Sequence, residues 1–259
     1  MKLIYTNRNR KDDTFRELIS MWEESGFVEV VEGNDPFVWV DRVGGTLLYD
    51  HPRVDDRPIP EFENGLFGNT VPLCDKCHSW IFWSRRPRLL EKSIEAGIPS
   101  YEERNIKSIF LGKVENHVQL NARTQVDWSK VVELFSMPVL IGDTQTYPYT
   151  QEEYLEKVKQ SKFGLVLPGY GPKCNREIEY LGLGTVPIFT PNTNINYHDP
   201  LVRDKHFLFA ETEEEFMHIV NTIDEETWSD LSNNCREWYN KNCSRKGSFE
   251  TTKQILESL

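Results

Sequence analysis

Arg176 and Glu179 stand one helical turn apart, just after a short apolar run and a turn rich in Pro and Gly. Phe163 to Leu167 reads as a strand, Pro168 to Pro172 as the turn, and Val186 to Phe189, after Gly184, as a second strand. A turn that leads from a strand into a helix offers backbone N–H groups and a helix N-terminus to an anion such as a diphosphate. Residues three apart on a helix share a face. Arg176 therefore supplies a cation for phosphate beside Glu179, a carboxylate suited to ribose hydroxyls. Glu177 points elsewhere at its spacing and is the alternative carboxylate. The competing reading is a plain strand–helix–strand unit whose Arg176 and Glu179 form a solvent-facing pair.

Short β-type runs alternate with amphipathic helical patterns along the whole chain, which is the signature of α/β layering. Lys2 to Tyr5 reads as the first strand. Phe15, Leu18, Ile19 and Trp22 recur at helical spacing after Asp12, Asp13 and Thr14, so a helix runs to about Glu24 and Gly26 ends it. Val28 to Val31, Phe37 to Val40 and Thr46 to Tyr49 read as strands. Asp50 to Asn69, with Pro52, Pro58 and Pro60, reads as a long loop over a cleft. Leu89 to Ala96 is helical until Gly97 and Pro99 stop it.

After a junction near Ile98 to Ile106 the alternation starts afresh with the strand Ser108 to Leu111. Val132 to Leu134 and Val139 to Ile141 continue it, and Thr150 caps a helix that carries Glu152 and Glu153 in its first turn. His206 to Phe209 reads as a strand. Three C-terminal helices follow, with apolar faces through Phe216 and Val220, through Trp228 and Trp238, and through Phe249 and Ile255. The chain thus divides into residues 1–102 and 103–259.

With 259 residues the chain holds one large domain or two small ones. Thirty Lys and Arg against 41 Asp and Glu give a net charge of −11, which argues against a general binder of nucleic acid or anionic membrane. Local positive charge then marks a site. No apolar run reaches the length of a membrane span and no export signal is evident, so a cytoplasmic protein is expected. Five cysteines are an odd number, and free thiols are expected. Cys74-x-x-Cys77-His78 matches a haem-attachment motif, a zinc half-site and a redox pair in outline. Export, a second Cys/His pair and a strand-to-helix context, which those readings require, are each missing, so chance is the better account. Cys235 and Cys243, flanking Trp238, read as small buried hydrophobes.

Lys-Phe, an apolar strand, a Gly-rich loop and then Arg176, Glu179, Leu181, Gly184 and Pro187 in the order Arg-x-x-Glu-x-Leu-x-x-Gly-x-x-Pro resemble the C-terminal part of the exostosin-like glycosyltransferases. The short, membrane-free members in large algal DNA viruses are the nearest in plainness. The strand ending in Gly112, followed by Lys113 and Arg123, is similar to that family's first strand and phosphate-facing loop. The resemblance implies a GT-B α/β fold, in which two Rossmann-like domains face each other across a cleft. Residues 1–102 would take the acceptor and residues 103–259 the donor.

It also implies inverting transfer from a nucleotide sugar, with a UDP-sugar such as UDP-xylose favoured, to an oligosaccharide or glycoprotein glycan. No nucleic-acid partner, no membrane span, no further cofactor and no required divalent metal are expected. Arg123, Lys173, Arg176 and Lys113 are candidates to stabilise the departing diphosphate, and Glu179 is the ribose ligand. Inversion needs a general base, expected in the N-terminal half. Asp75 is preferred, with Asp50 as the competing carboxylate and His78 or His51 as orienting partner or substitute. Trp80, Phe82, Trp83 and Tyr101, near Arg85, Arg86 and Arg88, are candidates for an acceptor surface or else core. Tyr147 and Tyr149, beside Asp143 and Thr144, fall where the family places residues near the base or donor sugar. The alternatives are a GDP-fucose-dependent fucosyltransferase and a noncatalytic nucleotide- or glycan-binding module.

Overall fold

The computed structural model describes residues 1–4, 14–33, 38–40, 45–49, 61–68, 74–141, 147–169, 171 and 173–259. The N-terminal half opens with strand β1 (Lys2–Ile4) and helix α1 (Thr14–Glu24). Strands β2 (Glu29–Val31), β3 (Val38–Val40), β4 (Thr46–Tyr49), β5 (Asn64–Phe67) and β6 (Cys77–Ser79) follow, and then helix α2 (Pro87–Glu95). The strands form one mixed sheet in the order β2-β1-β3-β4-β5-β6. Helix α1 buries Phe15, Leu18, Ile19, Met21 and Trp22, the face its spacing predicts, and Gly26 leaves it at a φ of 72°.

Strand β5 lies inside the stretch expected to be loop. It pairs in parallel with β4 on one side and β6 on the other and buries Leu66 and Phe67. Asn64 and Gly65 read as turn residues in isolation, and two-sided hydrogen bonding overrides that preference. Residues 50–60 of the same stretch lie outside the described residues. A second correction concerns the thiols, because Cys74 and Cys77 are joined by a disulfide. Their spacing on the turn before β6 brings the Cα atoms to 5.1 Å, well within the reach of a bridge. Counting cysteines missed this. Cys174, Cys235 and Cys243 are free, and the last two are buried as expected.

The C-terminal half runs β7 (Ile106–Leu111), α3 (His117–Arg123), β8 (Leu134–Ser136), α4 (Gln151–Lys159), β9 (Ser161–Val166), α5 (Asn175–Leu183), β10 (Val186–Phe189) and β11 (Leu208–Phe209). Helices α6 (Glu213–Thr222), α7 (Glu225–Asn242) and α8 (Arg245–Ser258) end the chain. Its sheet is all parallel, in the order β11-β10-β9-β7-β8. Alternation along the strands sends Phe110, Phe163, Leu165 and Ile188 into a core with Trp128, Phe216 and Trp228. Ile109, Leu111, Val166 and Phe189 go to the opposite face, against residues of α4, α5 and α7. Helices thus cover both faces, as a parallel sheet requires. The strands expected at Val139 to Ile141 and His206 to Phe209 shrink to a single bridge between Val114 and Val139 and to the two residues of β11.

The two halves share one hydrophobic cluster that runs from Leu3 and Trp22 through Trp80 to Ile109, Ile178 and Phe189. Helix α8 crosses back onto the first half, where Trp22 Nε1 donates to Ser248 Oγ at 2.9 Å and Phe27 stacks on Phe249 at 4.9 Å. A boundary at residue 102 follows the strand pattern but separates α8 from the helix it packs on. Trp80, Phe82 and Trp83 belong to this core, being at most 3% exposed. No helix among the described residues is long and apolar enough to cross a membrane.

Gly164, in β9, allows the closest approach of strand and helix. A Cβ there would meet the ring of the buried Tyr180 at 2.4 Å. Gly164→Ala is expected to cost about 2–3 kcal/mol through overpacking, read as a lower urea midpoint with an unchanged slope. An unaltered midpoint would mean that the ring can move aside.

Candidate functional site

The order of the parallel sheet reverses between β7 and β9, since the chain leaves β7 toward β8 on one side and later builds β9, β10 and β11 on the other. Crossovers diverge at such a point and leave a crevice beyond the carboxyl ends of the strands. A cavity of about 440 Å³ lies there, lined by Leu111 and Gly112 after β7, Gly169 and Gly171 after β9, and Cys174 and Asn175 at the start of α5. Arg85 and Arg86 bring the N-terminal half to its wall.

Two guanidinium groups form the basic side of the cavity. Arg176 donates from Nη2 to the Leu111 carbonyl at 3.0 Å and lies over the Phe110 ring at 4.3 Å. A Cβ on Gly112 would stand 2.5 Å from that nitrogen, so glycine at 112 leaves room for the guanidinium at the strand end. Arg123 is buried, its Nε donating to the Pro168 carbonyl at 2.6 Å and its Nη1 to the Lys113 carbonyl at 2.5 Å. Burial and the neighbouring Arg176 lower its pKa to about 10, which leaves it charged at neutral pH. Burial also opposes the Arg176 charge, but neighbouring groups, the Glu179 carboxylate among them, more than offset it and hold the guanidinium protonated. The Arg176 Nε is buried with no hydrogen-bond partner. First-turn N–H groups of a helix have no intrahelical acceptor, so the α5 N-terminus adds partial positive charge to the same wall.

Polar and acidic groups stand beside these cations in the same lining. Glu179 is 3% exposed, and its Oε1 accepts from the Arg85 backbone N–H at 3.0 Å and from Gln151 Nε2 at 3.2 Å. Burial raises its pKa above the usual carboxylate value. Gln151 and Tyr154 are placed by the start of α4, where Thr150 and Glu153 form the capping box that their spacing predicts. Tyr154 and Tyr147 line the cavity with their hydroxyls buried, that of Tyr154 against the Glu179 carboxylate. Burial pushes the Tyr147 phenol up to about 12.

Of the residues expected to bind a donor, Gly112, Arg123, Lys173, Arg176 and Glu179 all line this cavity. The Lys173 amine is engaged elsewhere, donating to the Gly68 carbonyl at 3.1 Å and lying over Tyr197 at 4.6 Å. Lys113 pairs with Glu115 at 2.7 Å on the rim. Asp75 is exposed on the turn before β6, and His78 Nε2 lies 3.4 Å from Asn64 Oδ1. Neither lines the cavity. Asp50, His51, Asp143 and Thr144 lie outside the described residues. The sequence pattern does not single out Gln151 and Tyr154, and it gives Arg85 and Arg86 only as neighbours of the aromatic run. The Thr150 cap was the available signal, because it fixes which residues open α4 toward the strand ends. Searches against protein-family models and curated proteins returned no match to this chain.

Proposed function

We propose that the protein is an inverting glycosyltransferase that uses a nucleotide-sugar donor, with GT-B architecture and a UDP-sugar such as UDP-xylose favoured. The observation that carries this reading is the cavity at the strand-order reversal. There Arg123, Arg176 and a helix N-terminus converge in a chain of net charge −11, beside the carboxylate of Glu179 and the side chains of Tyr147 and Tyr154. A volume of about 440 Å³ suits a ligand of nucleotide size. In this reading the diphosphate lies against the two arginines and the ribose against Glu179. The arginines stabilise the charge that develops as the glycosidic bond breaks. The acceptor enters from the side of Arg85 and Arg86.

Calorimetric titration with UDP, GDP and their sugars tests the binding part, and sugar release from the bound donor tests turnover. A protein that binds none of them does not have this function. Cationic side chains suffice in this reading for the leaving group, so turnover is expected to persist in excess chelator. Abolition by chelation and recovery with Mn²⁺ or Mg²⁺ would count against it.

A noncatalytic nucleotide-binding module is the second reading, favoured by the positions of Asp75 and His78 away from the cavity. The two readings differ in turnover. A module retains nucleotide and releases no sugar, and Asp75→Asn then changes nothing, whereas loss of turnover in that variant with donor affinity intact would restore Asp75 as the base.

A further inference from the structure

Three side chains beside the cavity have no part in the reading above, yet all three are buried. Lys173 and Glu177 are each 1% exposed and Tyr197 is 2% exposed. Their bonds join three separate segments. The Lys173 ammonium reaches out of the turn between β9 and α5 to the carbonyl of Gly68, just past β5 in the N-terminal half. Glu177 Oε1 accepts from the Cys174 backbone N–H at 2.7 Å and from the Tyr197 hydroxyl at 2.7 Å. The Tyr197 ring in turn lies under the Lys173 ammonium. Burial works against both charges, drawing the Glu177 carboxyl up to about 7 and the Lys173 amine down to about 8.

Nearby, Asn175 Nδ2 donates to the Trp83 carbonyl at 2.8 Å, so the start of α5 is tied to the N-terminal half a second time. Cys174 occupies the N-cap, where Ser, Thr or Asp would be the usual acceptor. Sulfur accepts weakly. The end of this helix therefore depends for its placement on Glu177 and on the contacts that Glu177 and Lys173 make.

We propose that Lys173, Glu177 and Tyr197 are positioning residues for the anion site. Together they pin the turn between β9 and α5 against the N-terminal half, so that a nucleoside diphosphate meets the α5 N-terminus and Arg176 already in place. The proposal rests on the donor-site reading above, and it gives Lys173 a different role from the phosphate contact its sequence position suggests. A preformed site spares the ordering of groups on binding, so loosening the cluster weakens affinity without removing any ligand contact.

Tyr197→Phe, Lys173→Met and Lys173→Arg separate the possibilities. Each is titrated with UDP, GDP and pyrophosphate, and backbone hydrogen exchange is followed over residues 168–176, with α8 as the internal control for the fold. Tyr197→Phe and Lys173→Met are expected to weaken affinity by about tenfold, roughly the net worth of one buried hydrogen bond to a charged group, and to speed exchange in that segment alone. Lys173→Arg, which can still donate to Gly68, is expected to restore both. If Lys173→Met weakens binding with exchange unchanged and Tyr197→Phe does nothing, Lys173 contacts the phosphate directly and the proposal falls. Faster exchange with affinity unchanged overturns it too, since the cluster then only supports the fold. A wild-type protein that binds none of the three ligands overturns the donor-site reading and this proposal together.

Discussion

Arg176→Ala is expected to lower affinity for a nucleoside diphosphate by about 10–10²-fold, the scale of a charge-assisted hydrogen bond to a bound anion. Arg176 approaches the end of β7, where Gly112 leaves it room, and it keeps its charge despite burial. Its Nε has no protein partner to lose. The fold loses the Nη2 bond to Leu111 and the contact with Phe110, and the urea midpoint of the variant measures that cost apart from the loss of binding. Arg176→Lys is expected to recover little, because an ammonium cannot both bond the Leu111 carbonyl and present a second planar donor to phosphate. Calorimetric titration with UDP and GDP decides the matter, and an affinity within twofold of wild type in both variants would remove Arg176 from the site.

Glu179 behaves differently from Arg176, and the difference shows what the sequence could reveal. The i,i+3 spacing puts both residues on one face and next to one turn, and both line the cavity. Spacing could not reveal that the Glu179 carboxylate would be buried and bonded to the Arg85 backbone, since that contact joins positions 94 residues apart. Local signals were legible wherever they were self-contained, as in the Thr150 cap of α4, the apolar face of α1 and the Gly184 exit from α5 at a φ of 65°.

They failed where pairing or packing decided the outcome. The residues of β5 become a strand because β4 and β6 flank them. The polar helix α3, capped by Asn116, carries too few apolar residues for its period to show. Lys173 illustrates the same limit within the site, because its charge and position were plain and the direction of its amine was not. The site was read from the residues that surround the turn, and its second wall, from Arg85 to Gln151 and Tyr154, came only with the tertiary fold.

Trp80→Ala is expected to destabilise the whole chain by about 3–5 kcal/mol, the range for truncating a buried tryptophan. Trp80 is fully buried and meets Phe15 and Trp83 edge-on, each at 5.5 Å. Its Nε1 donates to Thr252 of α8 at 2.8 Å, and its carbonyl accepts from the His198 N–H at 3.2 Å. The residue thus sits where α1, α8 and the segment after β10 meet, with its side chain inside the cluster that both sheets share. Typical domains have only about 5–15 kcal/mol in total, so this single truncation should remove a large part of the reserve. Because the core is continuous, both halves should unfold together, with far-ultraviolet circular dichroism and tryptophan fluorescence giving one coincident urea transition at a lower midpoint. Two separate transitions would show that the sheets are stable independently and that the shared cluster contributes little. The same variant tests the aromatic run as an acceptor surface. A sugar-binding tryptophan would lose acceptor affinity at nearly constant stability, and the burial of Trp80 requires the opposite result.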